Sequence, residues 1–164
     1  MTKRSWASSA QVRRSMQANQ WRDTKPELAI RRVVYASGLR YRVDARPLKE
    51  LNRRADLVFL GAKVAVFVDG CFWHGCPQHY TVAIANAEFW AEKVRRNRER
   101  DIETNEALVA AGWVVIRVWE HEDPNAAAGQ VAETVRGRSR SASRRGAPLT
   151  APCSNRPRSV ELPL

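Results

Sequence analysis

Two short apolar runs, Ala55-Asp-Leu-Val-Phe-Leu60 and Lys63-Val-Ala-Val-Phe-Val68, constrain this chain more than any other feature. Both are rich in β-branched and aromatic residues. Gly61-Ala62 between them leaves room only for a tight turn, so the runs predict an antiparallel hairpin. The second run leads directly into Asp69-Gly-Cys-Phe-Trp-His-Gly-Cys-Pro-Gln-His79, which holds two of the three cysteines and two of the three histidines. Side chains delivered from the end of a rigid strand are placed to act as a site.

The remaining elements follow from caps and periodicity. Ser9 to Asn19 reads as one short helix, with Trp6, Met16 and Trp21 as isolated anchors in a polar, basic segment. Thr24 reads as an N-cap, with Pro26 in the first turn and Glu27 three residues on, a capping-box arrangement. Leu28, Ile30, Val33 and Val34 then mark a helix ending near Gly38, with Arg31 and Arg32 facing solvent or a ligand. Tyr41 and Val43 suggest a short strand before a turn-rich stretch with Pro47 and Asn52-Arg-Arg54. A long helix is expected from about Asn86 to Ala111, capped by Gly112. A strand over Trp113–Trp119 follows, then a last helix over Asn125–Val135. Beyond Gly137 the chain is rich in Arg, Ser, Pro and Ala, and disorder is expected. The order α-α-β-β-β-α-β-α predicts a mixed sheet with helices around it.

The length of 164 residues suits one domain, and 44% hydrophobic content suits a packed core. The formal net charge of +11 points to a polyanionic partner, first of all nucleic acid. Six of the 28 Lys/Arg and one of the 17 Asp/Glu fall in residues 137–164, so the rest of the chain is basic as well. Three cysteines make no disulfide framework, and Cys153 carries no motif. No apolar run approaches the ~20 residues of a membrane span, and the N-terminus lacks the apolar core of a secretory signal. An intracellular, reducing location is expected.

Cys71-x4-Cys76-x2-His79 offers three soft or borderline ligands, and His121, after the strand over 113–119, offers a fourth. Thiolate and imidazole in a four-coordinate set suit zinc, and a site closed by four protein ligands is structural. The alternative is two buried free thiols and exposed histidines. His74 is left over as a general acid or base, or as a structural histidine. Asp56, at the mouth of its strand, can bind a hard divalent cation such as Mg²⁺ or pair with Arg53 or Arg54. Glu27 can support that metal through water, or simply cap its helix. Asp101 can orient His74, or form an ordinary ion pair on the helix surface.

Taken together, Arg54-Ala-Asp56-Leu-Val-Phe, Val68-Asp-Gly-Cys-Phe-Trp-His74-Gly-Cys, Glu88-Phe-Trp-Ala-Glu-Lys93, Asn97-x-x-Arg100-Asp101, Gly112-Trp113 and Val118-Trp119-Glu120 resemble the very short patch repair (Vsr) endonucleases. These are DNA mismatch nickases of the PD-(D/E)XK nuclease superfamily. The resemblance runs from about Ser9 to Asp123. It implies an α/β, restriction-endonuclease-like core with a structural zinc, and a nick on the 5′ side of the thymine in T:G mismatches left by 5-methylcytosine deamination. By the same resemblance Asp56 binds Mg²⁺ with the main-chain carbonyl of Val68. His74 is the general acid/base, Asp101 supports it, and Glu27 is an outer metal-site carboxylate. Phe72, Trp73 and Trp90 match aromatics wedged into the DNA, Met16 lies on the opposite groove, and Lys93, Arg96 and Asn97 join the DNA contacts. The chain departs from the best-known members in three places. Asp69 replaces a histidine, His121 replaces a cysteine, and their histidine run becomes His74-Gly-Cys76-Pro-Gln-His79.

The expected organisation is an N-terminal DNA-contacting arm over 1–22, an endonuclease domain over 23–136 and a disordered tail over 137–164. The expected partner is double-stranded DNA carrying a T:G mismatch, with mismatch-repair proteins in addition, and no membrane. The expected state is a cytoplasmic, nucleoid-associated monomer. Two other readings stay open: a non-catalytic, zinc-stabilised DNA-binding module, and a restriction-type endonuclease cutting intact duplex.

Overall fold

In the computed structural model, residues 22–145 are described. The arm before residue 22, with Met16 and the helix expected over 9–19, and the tail from residue 146 lie outside the described residues. The elements in chain order are α1 (Lys25–Ala36), β1 (Arg42–Ala45), β2 (Ala55–Phe59), β3 (Val64–Asp69), α2 (Ala87–Ala110), β4 (Val114–Trp119) and α3 (Pro124–Arg145).

The strands form one sheet in the order β1-β2-β3-β4. The predicted hairpin is present, with β2 antiparallel to β3 and Leu57 opposite Val66. The long crossover through α2 returns the chain to β3, and β4 pairs with it in parallel, from Val64 opposite Val114 to Asp69 opposite Trp119. Alternation along the strands separates two cores. Leu57, Phe59, Val64, Val66, Ile116 and Val118 face Ile30 and Val34 of α1 and Val131 and Val135 of α3. Val58, Ala65 and Phe67 face Leu108 of α2 and Trp113. The sheet therefore has α1 and α3 on one face and α2 on the other. Fully buried side chains such as Val34, Leu57, Val66, Leu108 and Val131 each contribute roughly 1.5–3 kcal/mol.

Two local expectations need correction. Arg31 is buried, not solvent-facing, and its guanidinium is held by Asp23 and by Glu27 Oε2, the latter at 2.9 Å. The last helix does not stop at Val135 but continues to Arg145. Its continuation is anchored from outside the helix: Arg136 donates to the Ser37 carbonyl, and Arg138 donates to the carbonyls of Ala62 and Gly112. These bonds satisfy carbonyl groups at the ends of α1, α2 and the hairpin turn, which explains order in a stretch whose composition suggests none.

α2 is a mostly exposed helix whose buried residues are Val94, Thr104 and Leu108. At helical spacing, Asn97 and Asp101 lie on the same face. The face that anchors α2 to the sheet is thus also the face that carries polar groups toward the carboxyl end of β3.

Candidate active site

Residues from both strands of the hairpin, β4, α2 and the loop after β3 line a cleft of about 270 Å³, among them Asp56, Val68, Asp69, His74, Asp101 and Arg117. Asp56 is on the same side of β2 as Val58, the side that faces α2. Its Oδ2 accepts the Val68 N–H at 2.7 Å. Burial pushes its pKa up to about 6 against the pull of that hydrogen bond, and the charges of Glu27 and Asp69 add to the rise. Such a carboxylate calls for a cation. Of the two alternative partners, Arg53 donates instead to the Asn52 carbonyl at 2.9 Å, and Arg54 donates to the Asp44 carbonyl at 2.5 Å and lies 3.4 Å from the Asp44 carboxylate.

His74 is positioned by its loop and by α2. The His74 N–H donates to the Gly70 carbonyl, and Asn97 Nδ2 donates to the Trp73 carbonyl at 2.8 Å. Gly75 has φ +64°, and a Cβ there would lie 3.0 Å from Val94 Cγ1, so a larger residue would strain the loop where it settles on α2. His74 Nδ1 lies 2.6 Å from Asp101 Oδ2 and 3.8 Å from Asp69 Oδ1. Burial opposes the imidazolium, but the Asp101 hydrogen bond and the charges of Asp69 and Asp101 outweigh it, so the His74 pKa is raised. Asp101 answers in the opposite sense: burial works against its charge, yet His74 and Arg117 hold its pKa below the usual carboxylate range. The His74 contribution to stability is full below the imidazole's ordinary pKa and is lost as pH rises through its raised one. Asp101→Asn is expected to bring the His74 titration midpoint down, read by NMR. An unchanged midpoint would contradict the pairing.

Arg117 carries no motif in the sequence. Opposite Phe67 in the β3–β4 ladder, it donates from Nη1 to both Asp69 oxygens at 2.8 and 2.7 Å, and Nη2 lies 3.0 Å from Asp101 Oδ1. The one sequence signal for it is an arginine inside a β-branched strand. Asp69, which stands where the best-known members have a histidine, is thus paired with Arg117. Glu27 does not line the cleft. Its carboxylate is shared among Arg31, the Asp23 N–H and the Thr24 hydroxyl, and the Thr24 side chain caps no backbone N–H, so these bonds are not the expected capping box.

Cys71, Cys76, His79 and His121 come together although His121 is far from the others in sequence. All four ligand atoms lie within 4.8 Å of one another. The parallel ladder explains the meeting: β3 and β4 end side by side, so the residues that follow each strand share one edge. The Cys71 N–H donates to Glu120 Oε1 at 2.7 Å, fixing the loop to the end of β4. Sulfur-to-nitrogen distances of 3.1, 3.8 and 3.9 Å span the roughly 3.6 Å expected across a tetrahedral thiolate–imidazole metal site. Burial, then Cys76 and Glu120, push the Cys71 thiol up to about 11, so metal uptake requires displacing its proton. The set fits a four-coordinate metal.

At the rim, Phe72, Trp73 and Trp90 form a half-buried cluster with ring centroids 5.3 to 5.7 Å apart, edge to face. Lys93 Nζ lies 5.2 Å from the Trp73 ring centroid and 5.4 Å from that of Trp90. Arg96 is exposed and paired with Glu92 at 2.6 Å, while Asn97 is engaged by Trp73 and Arg100.

The model of the DNA mismatch endonuclease Vsr family matches residues 7–80. A type II nicking enzyme, V.NaeI of Lentzea aerocolonigenes, is 47% identical over 124 residues, covering 74% of this chain and 75% of the relative. A second, V.NmeDIP of Neisseria meningitidis serogroup C, is 41% identical over 114 residues, 68% of this chain and 75% of the relative. The DNA mismatch endonuclease Vsr of Escherichia coli (strain K12) is 34% identical over 108 residues, 65% and 67% of the two chains. With a basic chain, a carboxylate and a histidine–carboxylate pair in one cleft, these likenesses agree on one conclusion: the chain belongs to the Vsr family of DNA endonucleases.

Proposed function

We propose that this endonuclease nicks one strand on the 5′ side of the thymine in T:G mismatches, such as those left by deamination of 5-methylcytosine, in a Mg²⁺-dependent reaction on a restriction-endonuclease-like core. The observation that carries the reading is the His74–Asp101 pair at 2.6 Å in the same cleft as Asp56. Asp56 and the main-chain carbonyl of Val68 would hold Mg²⁺, consistent with that ion's preference for one or two carboxylates plus water and phosphate. Bound there, the ion supplies charge neutralisation at the scissile phosphate and a more acidic attacking water.

The chain's own groups do the rest. Asp101 fixes the Nδ1 side of His74, which leaves Nε2 to carry the proton between water and leaving group. Arg53, Arg54 and Arg100 line the cleft as phosphate contacts. Phe72, Trp73 and Trp90 would enter the stack beside the mismatch, where opening a step is cheapest, with Lys93, Arg96 and Asn97 alongside. Glu27 acts at most through Arg31 and the electrostatics of Asp56. Cys71, Cys76, His79 and His121 would hold a structural zinc, since four protein ligands leave no open position for substrate.

The test is a strand-resolved nicking assay with Mg²⁺ over T:G, the other mismatches and matched duplex. Cleavage confined to the thymine strand of T:G is the expected result. Equal cutting of matched duplex would establish the restriction-type reading in its place.

A further inference from the structure

We infer that Arg117 is a positioning residue for strand cleavage: a resident guanidinium that fills the place of a cation between Asp69 and Asp101, holds Asp101 on His74 and keeps that cluster closed to metal. The inference rests on the functional reading above. Asp69, His74 and Asp101 have ligand atoms within 4.8 Å of one another, a grouping that suits a divalent ion. Arg117 occupies it instead. Its Nη1 binds both oxygens of Asp69, and its Nη2 lies 3.0 Å from Asp101 Oδ1, opposite the oxygen that meets His74. The guanidinium is itself fixed, by Nε to Asn105 Oδ1 at 3.1 Å and by the Phe67 ring, 4.8 Å from Cζ to the ring centroid. Two carboxylates are thereby bridged by one cation whose donors have set directions, and neither is free to turn away from its partner.

A metal ion in that place would take Nδ1 of His74 as a ligand and break its bond to Asp101. Arg117 prevents this and leaves Asp56 as the anchor for the catalytic ion. A lysine keeps the charge but is a point donor that cannot span both carboxylates, so the two substitutions separate charge from geometry.

The experiment compares wild type, Arg117→Met and Arg117→Lys by single-turnover nicking, thermal unfolding and Mn²⁺ bound per chain by electron paramagnetic resonance. Arg117→Met is expected to lose about 10–100-fold in kcat with little change in KM, and to bind one more Mn²⁺ than wild type. Arg117→Lys is expected to bind no extra Mn²⁺ and to recover only part of the rate. A wild-type kcat in Arg117→Met, or an unchanged Mn²⁺ count in it, overturns the inference. If Arg117→Met does not fold, Arg117→Lys decides: a reduced kcat supports the inference and a wild-type kcat overturns it. A wild type that nicks no duplex sinks the functional reading, while the Mn²⁺ count still tests Arg117.

Discussion

Asp56→Ala is expected to lower the nicking rate by about 10³-fold or more, on the order of 4 kcal/mol in the barrier, while leaving the fold intact or more stable. The two effects have one cause. The carboxylate sits in a partly enclosed cleft, and burial raises its pKa to about 6, with Glu27 and Asp69 adding repulsion. An acid whose folded pKa is raised favours folding in its protonated form. That advantage is complete below the unfolded value and is lost as pH rises through about 6. At neutral pH the bare carboxylate therefore costs the fold up to about 3 kcal/mol, which alanine removes. Mg²⁺ binding would repair the same penalty from outside.

Three measurements check this together. Mg²⁺ should raise the melting temperature of wild type but not of Asp56→Ala. The wild-type rate should rise with pH through about 6, and that limb should move to lower pH as Mg²⁺ is increased. Retention of full activity by Asp56→Ala would remove Asp56 from the site.

What the sequence reveals and what it conceals divides along sequence separation. The hairpin and the long helix closed by Gly112 are local patterns found where the residues indicate, whereas Thr24 precedes its helix as expected but its side chain caps no backbone N–H. The Cys/His cluster is legible because the chain has so few of either residue. Arg117 is not legible, because its meaning comes from the parallel ladder that sets it opposite Phe67, next to Asp69 two residues on. Arg31 misleads for a similar reason: an arginine on an amphipathic helix normally faces water, and only the converging Asp23 and Glu27 carboxylates make its burial tolerable. The continuation of α3 past Gly137 depends on Arg136 and Arg138 reaching carbonyls of other elements, and no window of local composition contains those partners.

Cys76→Ser is expected to abolish zinc uptake at the proposed site and destabilise the loop that carries His74, with effects on fold and rate alike. Cys76 is buried at 1% exposure, and its N–H donates to the Cys71 carbonyl, so the ligand lies inside the turn it stabilises. Without metal, the Cys71 thiol and the introduced hydroxyl would be two buried polar groups. His79 and His121, exposed already, would no longer be tied to the cysteines, leaving the Phe72–Trp73–Trp90 cluster as the main apolar hold on residues 70–80. Zinc analysis is expected to fall from one ion per chain to none. The melting temperature should fall on the order of 10 °C, as a loss of a few kcal/mol implies for a domain of this size. Nicking should fall with it, because the Trp73 carbonyl held by Asn97 and the His74 Nδ1 held by Asp101 both depend on the path of this loop. Asp56 does not, so Mg²⁺ should still stabilise Cys76→Ser at low temperature. That contrast separates scaffold from catalysis: loss of the thiolate removes zinc and spares Mg²⁺ binding, whereas Asp56→Ala does the reverse. A folded, zinc-free wild type, or a Cys76→Ser variant with unchanged zinc content, would end the structural-zinc assignment.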